Sequence, residues 1–466
     1  MSTRTSHFTG SLLILALCGG SGVALGDDWL FTTNNAGPDG VRLTLDTITM
    51  GSSTDVPCVD ALRAVEWAPD GTSSGIDRNR RFGNENRIWV SINSDLHTDC
   101  SGSTGDICIG ASWYQIDSPP ASGYASGWAF TTEFTAAGGV APDIVADYPV
   151  FVVPEKSPSG TIEQWDTSSS SGLTASGISE ASQAEWLGSD FYVVTEAGTQ
   201  EEVCDATASG GSGTGTTDVG NLWLMHKTSS TVIDSLAVPL PSGFTSGDDW
   251  GKPEGVDGGY ISASMTHSCI DSDATRSIFV TDWCTNHLHI FTTDLNASPV
   301  EMSYDGDFDL EASSSLTSRG TCKPSVVYYN QVDDEAFVVC QGRDTVIRLD
   351  MTDPCDPVWD DEEVLQESTG SSTASCSTLP TVQDCSTGSY ECQPHGIGHG
   401  DLAHPEWIFV AVSYRNRIVG PPLVIENYGH ILAIRRSDLS EQYVIYRDFS
   451  GDYEPMDAEI LPSSPP

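Results

Sequence analysis

The chain has 466 residues, with 20 Lys and Arg against 66 Asp and Glu, for a formal charge of −46. A surface of that sign repels phosphate backbones and anionic lipid alike, which excludes nucleic acid and acidic membranes as partners. No stretch reaches the roughly 20 consecutive apolar residues that a membrane-spanning helix needs.

The N-terminal residues have the pattern of an export signal: Arg4, an apolar run from Ser11 to Cys18, and small residues around Ala24-Leu25-Gly26 at the cleavage positions. This predicts a signal peptide over 1–26, a mature chain from Asp27, and a secreted location, extracellular or periplasmic. Leu15-Ala16-Leu17-Cys18 is similar to a lipoprotein box, but Leu17 is bulkier than that position accepts. Of thirteen cysteines, Cys18 lies in the leader and twelve follow it, an even number in a chain bound for an oxidising compartment. Six disulfides are expected. Cys100 with Cys108, Cys269 with Cys284 and Cys322 with Cys340 are close enough to join neighbouring strands, and Cys376, Cys385 and Cys392 cluster around a Ser/Thr-rich loop. No cysteine spacing fits a zinc ribbon or a c-type haem.

From Asp27 onward one pattern recurs: an apolar, aromatic-rich strand, a polar turn, then a second alternating strand. It runs from Trp29–Asn34 to Val41–Asp46, Arg87–Ile92 to Ser112–Asp117, Val150–Val153 to Thr161–Asp166 and Phe191–Thr195 to Asn221–His226. It continues from Ile278–Asp282 to His287–Thr292, Ala336–Cys340 to Thr345–Asp350 and Trp407–Ala411 to Gly429–Ile434. Phe31 and Phe409 mark the first and last of seven hairpins, spaced by about 63 residues each. That interval holds four strands and loops of variable length. No segment sustains the helical period, so helix content is expected to be very low.

A second repeat precedes several hairpins: Ala64–Gly71, Pro324–Asn330 and Pro394–Gly400. Val65, Val327 and Ile397 share one register; Trp67, Tyr329 and His399 share the position two residues on, and Ser264–His267 is placed in the same frame with His267 at that second position. The C-terminal Pro455–Leu461 reads as the inner strand missing ahead of Trp29. The expected fold is therefore all-β: a single domain over 27–466, a seven-bladed β-propeller with four-stranded antiparallel blades, its ring closed by the C-terminal strand. Ser168–Gly172, Ser209–Gly220 and Ser368–Ser377 read as exposed low-complexity loops.

Ile278-Phe-Val-Thr-Asp-Trp-Cys-Thr-Asn-His-Leu-His-Ile-Phe291 and Pro394-His-Gly-Ile397 resemble YVTN-type β-propeller repeats, a likeness that implies a fold and no activity. Two hairpins carry long insertions, Thr195–Gly220 and Ser413–Gly429. With Val194-Thr-Glu-Ala197 before Gly220-Asn-Leu-Trp223, and Val412-Ser-Tyr414 before Tyr428-Gly-His430, they resemble selenium-binding proteins and methanethiol oxidases. That resemblance implies a copper-dependent oxidase, but the family's paired-histidine motifs have no ordered match here, so no residue role is transferred.

His267, His395 and His399 are the candidate transition-metal ligands, because inner strands of separate blades can bring imidazoles together in a channel. His395 and His399 would lie about 13 Å apart on a regular strand, too far to share an ion unless a bulge intervenes. His287 and His289 read as surface or packing residues. Asp305, Asp307 and Asp309, with Glu311, could hold calcium, as could the acids from Asp353 to Glu362, although neither set has EF-hand spacing. Asn296-Ala297-Ser298 is a formal glycosylation sequon, and Glu66 and Glu185 are acids that could face a channel. Phosphate-binding, dinucleotide-binding and Gly-x-Ser-x-Gly signatures are absent. The expected function is a ligand- or protein-binding scaffold, monomeric, using the channel mouth and the two long loops. A metal-dependent, copper-type oxidoreductase with a histidine-lined channel is the alternative, and a hydrolase or lactonase resting on channel acids is a third. The expected cofactor, if one is bound, is a transition metal or calcium.

Overall fold

A computed structural model describes the thirty strands named next and, between them, residues 178, 190, 227, 229, 238–239, 285–286, 295–301, 310–323, 333–334, 341–344, 351–357, 365, 406 and 436–441. The strands are β1 (Asp28–Thr32), β2 (Gly40–Leu45), β3 (Thr54–Val56), β4 (Leu62–Trp67), β5 (Arg87–Asn93), β6 (Ile109–Ile116), β7 (Trp128–Thr135), β8 (Val145–Asp147), β9 (Val150–Glu155) and β10 (Thr161–Asp166). Then follow β11 (Leu173–Ser176), β12 (Ala181–Gly188), β13 (Phe191–Glu196), β14 (Asn221–His226), β15 (Thr231–Ala237), β16 (Ile261–Thr266), β17 (Thr275–Asp282), β18 (His287–Asp294), β19 (Met302–Asp309) and β20 (Pro324–Asn330). The last ten are β21 (Glu335–Cys340), β22 (Thr345–Asp350), β23 (Val358–Val364), β24 (Gln366–Ser368), β25 (Val382–Asp384), β26 (Glu391–His399), β27 (Trp407–Ile418), β28 (Val424–Arg435), β29 (Gln442–Asp448) and β30 (Ala458–Leu461).

Among the described residues these form seven four-stranded antiparallel sheets and one two-stranded pair, β24 with β25. In chain order the sheets are β30-β1-β2-β3 (sheet 1), β4 to β7 (sheet 2), β8 to β11 (sheet 3), β12 to β15 (sheet 4), β16 to β19 (sheet 5), β20 to β23 (sheet 6) and β26 to β29 (sheet 7). Each hairpin expected from the sequence is the second and third strand of one sheet. The C-terminal strand pairs with β1, Leu30 opposite Ile460. First strands lie beside first strands: β30 by β4, β4 by β8, β8 by β12, β12 by β16, β16 by β20, β20 by β26, and β26 by β30. The described residues are all-β, in an arrangement consistent with a β-propeller. The described residues contain one short 3-10 turn, Thr317–Arg319, and no α-helix.

Period-two alternation normally buries one side of a strand; among the described residues both sides of the second and third strands of sheets 5, 6 and 7 are buried. On sheet 6, Val338 and Ile347 pack with Phe279 and Ile290 of sheet 5, while Phe337 and Val346 pack with Val410 and Leu432 of sheet 7. Ile278, Val280 and Phe291, on the other side of sheet 5, pack with Val193 and Leu224 of sheet 4. Burying each such side chain contributes about 1.5–3 kcal/mol. In five sheets the outermost strand carries one residue more than its partner, a β-bulge at Thr131, Ile233, Asp305, Asp360 and Ile445.

Buried arginines join successive sheets. Arg343, fully enclosed, donates from Nη1 to Glu311 Oε2 at 3.1 Å and from Nη2 to Leu310 O at 3.1 Å, with Nε 3.3 Å from Glu362 Oε1. Glu362 also accepts from Thr345 Oγ1 at 2.9 Å and Ser314 Oγ at 2.5 Å. Burial pushes the Glu311 carboxyl up, and the Cys322 N–H and the Arg343 charge oppose that rise. At the opposite end of sheet 6, Arg436 of sheet 7 donates to Asp333 Oδ2 at 2.7 Å, and Arg348 donates to the Arg436 carbonyl. The Cys322–Cys340 disulfide, 18 residues apart in sequence, fastens the start of β20 to the end of β21, and Cys355 is disulfide-bonded as well. The other cysteine pairs proposed from spacing, the leader and the three low-complexity loops lie outside the described residues, apart from Cys392 on β26 and Ser368 on β24.

Two expectations follow for stability. Arg343→Ala strands the buried Glu362 carboxylate and is expected to cost about 3–5 kcal/mol in denaturant unfolding, whereas Arg435→Ala, at a one-third exposed pair with Glu441, should cost about 0–1 kcal/mol. Replacing Cys322 and Cys340 together by Ser should cost about 3 kcal/mol; an unchanged midpoint would show the bridge to be dispensable.

Candidate functional site

The turn joining the second to the third strand marks one end of each sheet. On sheet 5 that end gathers a polar cluster that the sequence pattern did not reveal. Asp282 closes β17, and Thr285 folds back on it: Thr285 Oγ1 donates to Asp282 Oδ2 at 2.7 Å and Thr285 N–H to Oδ1 at 3.3 Å. Asn286 follows in a left-handed conformation, φ 60°, which Asn tolerates better than most residues and which reverses the chain into β18.

His287 and His289, two residues apart, lie on the same side of β18 with ring centroids 6.3 Å apart. Both are buried, His289 completely, so the surface half of the expectation for them is corrected. The reason lies in β19, the outermost strand, whose Tyr304 and Asp307 cover them. His287 Nδ1 donates to Thr285 O at 2.7 Å and its Nε2 is 3.6 Å from Asp307 Oδ2. The Tyr304 hydroxyl donates to Asp307 Oδ1 at 2.9 Å, and His289 Nδ1 meets that hydroxyl at 3.3 Å. Because the hydroxyl proton goes to Asp307, the oxygen accepts and His289 Nδ1 is the donor. His289 Nε2 faces Asp282 Oδ2 at 3.5 Å without a hydrogen bond. Burial first, then the hydrogen bond and charge of Asp307, hold the Tyr304 phenol well above its ordinary range, so it stays a hydroxyl. The unit links a buried imidazole to an exposed carboxylate through one phenol. Its sequence signal was present as His-x-His facing Tyr-x-x-Asp, but only the register of β18 on β19 brings them together.

Asp305, Asp307 and Asp309 alternate on the exposed side of β19 and have separate engagements: Asp305 is the bulge residue, Asp307 serves Tyr304, and Asp309 Oδ1 accepts from Glu311 N–H at 2.8 Å. His395 and His399 lie on β26. The register breaks between Pro394 and Gly396, which places the irregularity at His395, while His399 stands opposite Ile408. His267 lies outside the described residues. The register of β16 nonetheless corrects its frame: Met265 stands opposite Ile278 as Tyr329 stands opposite Ala336 and His399 opposite Ile408, so Met265 rather than His267 is the equivalent residue. Among the described residues no three His, Cys, Asp or Glu side chains form a metal-holding group. Glu185 lies half-buried on the first strand of sheet 4, and Glu66 on that of sheet 2.

The two long insertions arise at this same end. At the root of the first, Glu196 is buried and its Oε2 accepts from Asn221 Nδ2 at 2.8 Å and Trp223 Nε1 at 2.9 Å. The second is not a loop from Ser413 to Gly429, as expected, but a β-hairpin paired as far as Ile418 with Val424. Tyr414 is in register with Tyr428 and Ile418 with Val424, residue types that favour a strand over irregular chain.

Tyr304→Phe removes the acceptor of a buried imidazole and is expected to lower stability by about 1–3 kcal/mol, against less than about 0.5 kcal/mol for Ser440→Ala in an exposed turn. Denaturant midpoints check this. A Phe variant as stable as the parent would mean the phenol does not anchor His289.

No protein-family model matches the chain, and no curated protein matches it. Solved structures do. The chain is similar to a hypothetical selenium-binding protein from Sulfolobus tokodaii, at 10% identity over 94% of each chain with a TM-score of 0.53. It is also similar to a functionally unknown protein from Desulfotomaculum acetoxidans, at 7% identity over 93% of this chain and 98% of that one, TM-score 0.48. A provisionally named 6-phosphogluconolactonase from Bacteroides fragilis matches at 9% identity over 95% of this chain and all of the other, TM-score 0.39. At such identity the first of these likenesses speaks to the fold alone, and it supports the β-propeller reading.

Proposed function

We propose that this protein is a secreted, disulfide-stabilised β-propeller of seven YVTN-type blades, a single domain over 27–466 closed by its C-terminal strand. It acts as a monomeric scaffold that holds a small molecule or a protein at the mouth of its central channel. The cyclic succession of first strands, β26 beside β30 and β30 beside β4, supports the closed ring. The charge of −46 supports partners other than nucleic acid or acidic membrane.

The observation that carries the binding role is the hairpin of sheet 7. β27 and β28 run twelve residues each and pair to Ile418–Val424, whereas β29 leaves β28 at Gly429. The tip therefore stands beyond its own outer strand, at the end where first strands begin. A projection carried on a rigid scaffold is where binding groups are commonly placed.

A second reading, a copper-type metal-dependent oxidoreductase, draws on the register break at His395, the kind of irregularity that can bring His395 and His399 toward one ion.

The experiment is a thermal-shift screen of small metabolites on the mature protein and on a variant with 416–426 replaced by a two-residue turn. Compounds that stabilise the parent are expected to leave the variant unshifted while its own midpoint stays near the parent's. Hits retained by the variant would remove the hairpin from the binding face. Elemental analysis of protein purified without a histidine tag decides the second reading: stoichiometric copper lost in a His395→Ala, His399→Ala double variant is required by it, and metal-free protein ends it.

A further inference from the structure

Only four lysines occur in the chain, Lys156, Lys227, Lys252 and Lys323. Lys323 immediately precedes β20, the first strand of sheet 6, at the end that carries the long hairpins. Its backbone is left-handed, φ 47°, a conformation rare for a residue with a long side chain. Such outliers persist where the surroundings over-determine them, and they concentrate at functional positions.

Five constraints hold this one. Cys322 ahead of it is tied by the disulfide to Cys340, and Pro324 behind it fixes its own φ. The Lys323 N–H donates to Asn286 Oδ1 of sheet 5 at 2.7 Å, and its carbonyl accepts from Gln341 N–H at 3.1 Å. The side-chain stem lies across Gly342, where an added Cβ would come within 2.9 Å of Cγ and 2.8 Å of Cδ. Ser325, two residues on, donates from Oγ to Pro394 O of β26 at 3.1 Å, which sets Lys323 at the junction of the first strands of sheets 6 and 7. The amine is half-buried, and burial holds it below its ordinary range.

We propose that Lys323 is the ligand-contacting cation at the channel mouth and that its ligand is a small monocarboxylate. An amine whose stem is packed against Gly342 loses less entropy on making a contact than one on a freely rotating side chain. A singly charged ligand is favoured over phosphate because the surrounding charge of −46 repels an anion in proportion to its own charge. This rests on the binding-scaffold reading and names the chemistry of its site.

The test labels the mature protein with trinitrobenzenesulfonate, an anionic amine reagent, and follows each lysine by peptide mass spectrometry. Lys323 is expected to react several-fold faster than Lys227, and lactate or benzoate to slow Lys323 several-fold without affecting Lys227. Lactamide, benzamide and inorganic phosphate should protect far less. In parallel, lactate and benzoate should raise the melting midpoint of the parent and of Lys227→Met but not of Lys323→Met; Lys323→Arg, which keeps the charge, should retain part of the rise. Equal protection by the amides, or no protection by the carboxylates, overturns the proposal. Hairpin-dependent hits that persist in Lys323→Met would overturn it while leaving the scaffold reading in place.

Discussion

The fold depends on packing sheet against sheet. Phe279, Phe337 and Phe409 occupy corresponding places on the second strands of sheets 5, 6 and 7, and all three are fully buried. A four-stranded sheet with two apolar sides cannot stand alone in water; it must be covered on both sides by its neighbours. The buried arginines that accompany this packing, Arg343 and Arg436, sit in turns at strand ends. Arg343 and Arg436 reach across from one sheet to carbonyls or carboxylates of the next. Such clamps add little beyond what apolar residues of equal volume would add, but losing one partner leaves a buried charge, so they penalise misaligned sheets.

The same packing explains why the sites lie at strand ends. Side chains in the middle of β17, β21 and β27 are enclosed, so polar groups collect where strands turn: Asp282, Thr285 and His287 on sheet 5, Arg343 on sheet 6. The histidine–tyrosine–aspartate unit and the lysine junction occupy the same end of sheets 5 and 6, and Asn286 belongs to both neighbourhoods, since its side chain accepts from Lys323 while its backbone turns the chain into His287.

Strand content and hairpin pairing were legible in the sequence because aromatic and β-branched residues recur at fixed offsets. Even the pairing of β30 with β1 could be read, from the missing strand ahead of Trp29. What could not be read was anything that depends on the exact register of one strand against its neighbour. His287 and His289 alternate with Leu288 and Ile290 and look like one exposed side of a strand; only β19, with Tyr304 set against Phe291, encloses them. The frame of His267 failed for a related reason, since two-residue slippage keeps the alternation intact and leaves no trace in composition. Lys323 gave no signal at all, because its backbone conformation is set by a disulfide, a proline and an asparagine from another sheet.

The interrupted outer strands bear on how the protein behaves in concentrated salt. Its charge of −46 keeps molecules apart in dilute buffer, but that repulsion fades once ions shorten its range to a few ångströms. Ile233, Asp305 and Asp360 sit as extra residues in the strands that face outward, twisting each margin away from the straight template that a strand of another molecule would need. Resistance to lateral fibre growth is thus written into backbone geometry and survives conditions in which electrostatics no longer helps.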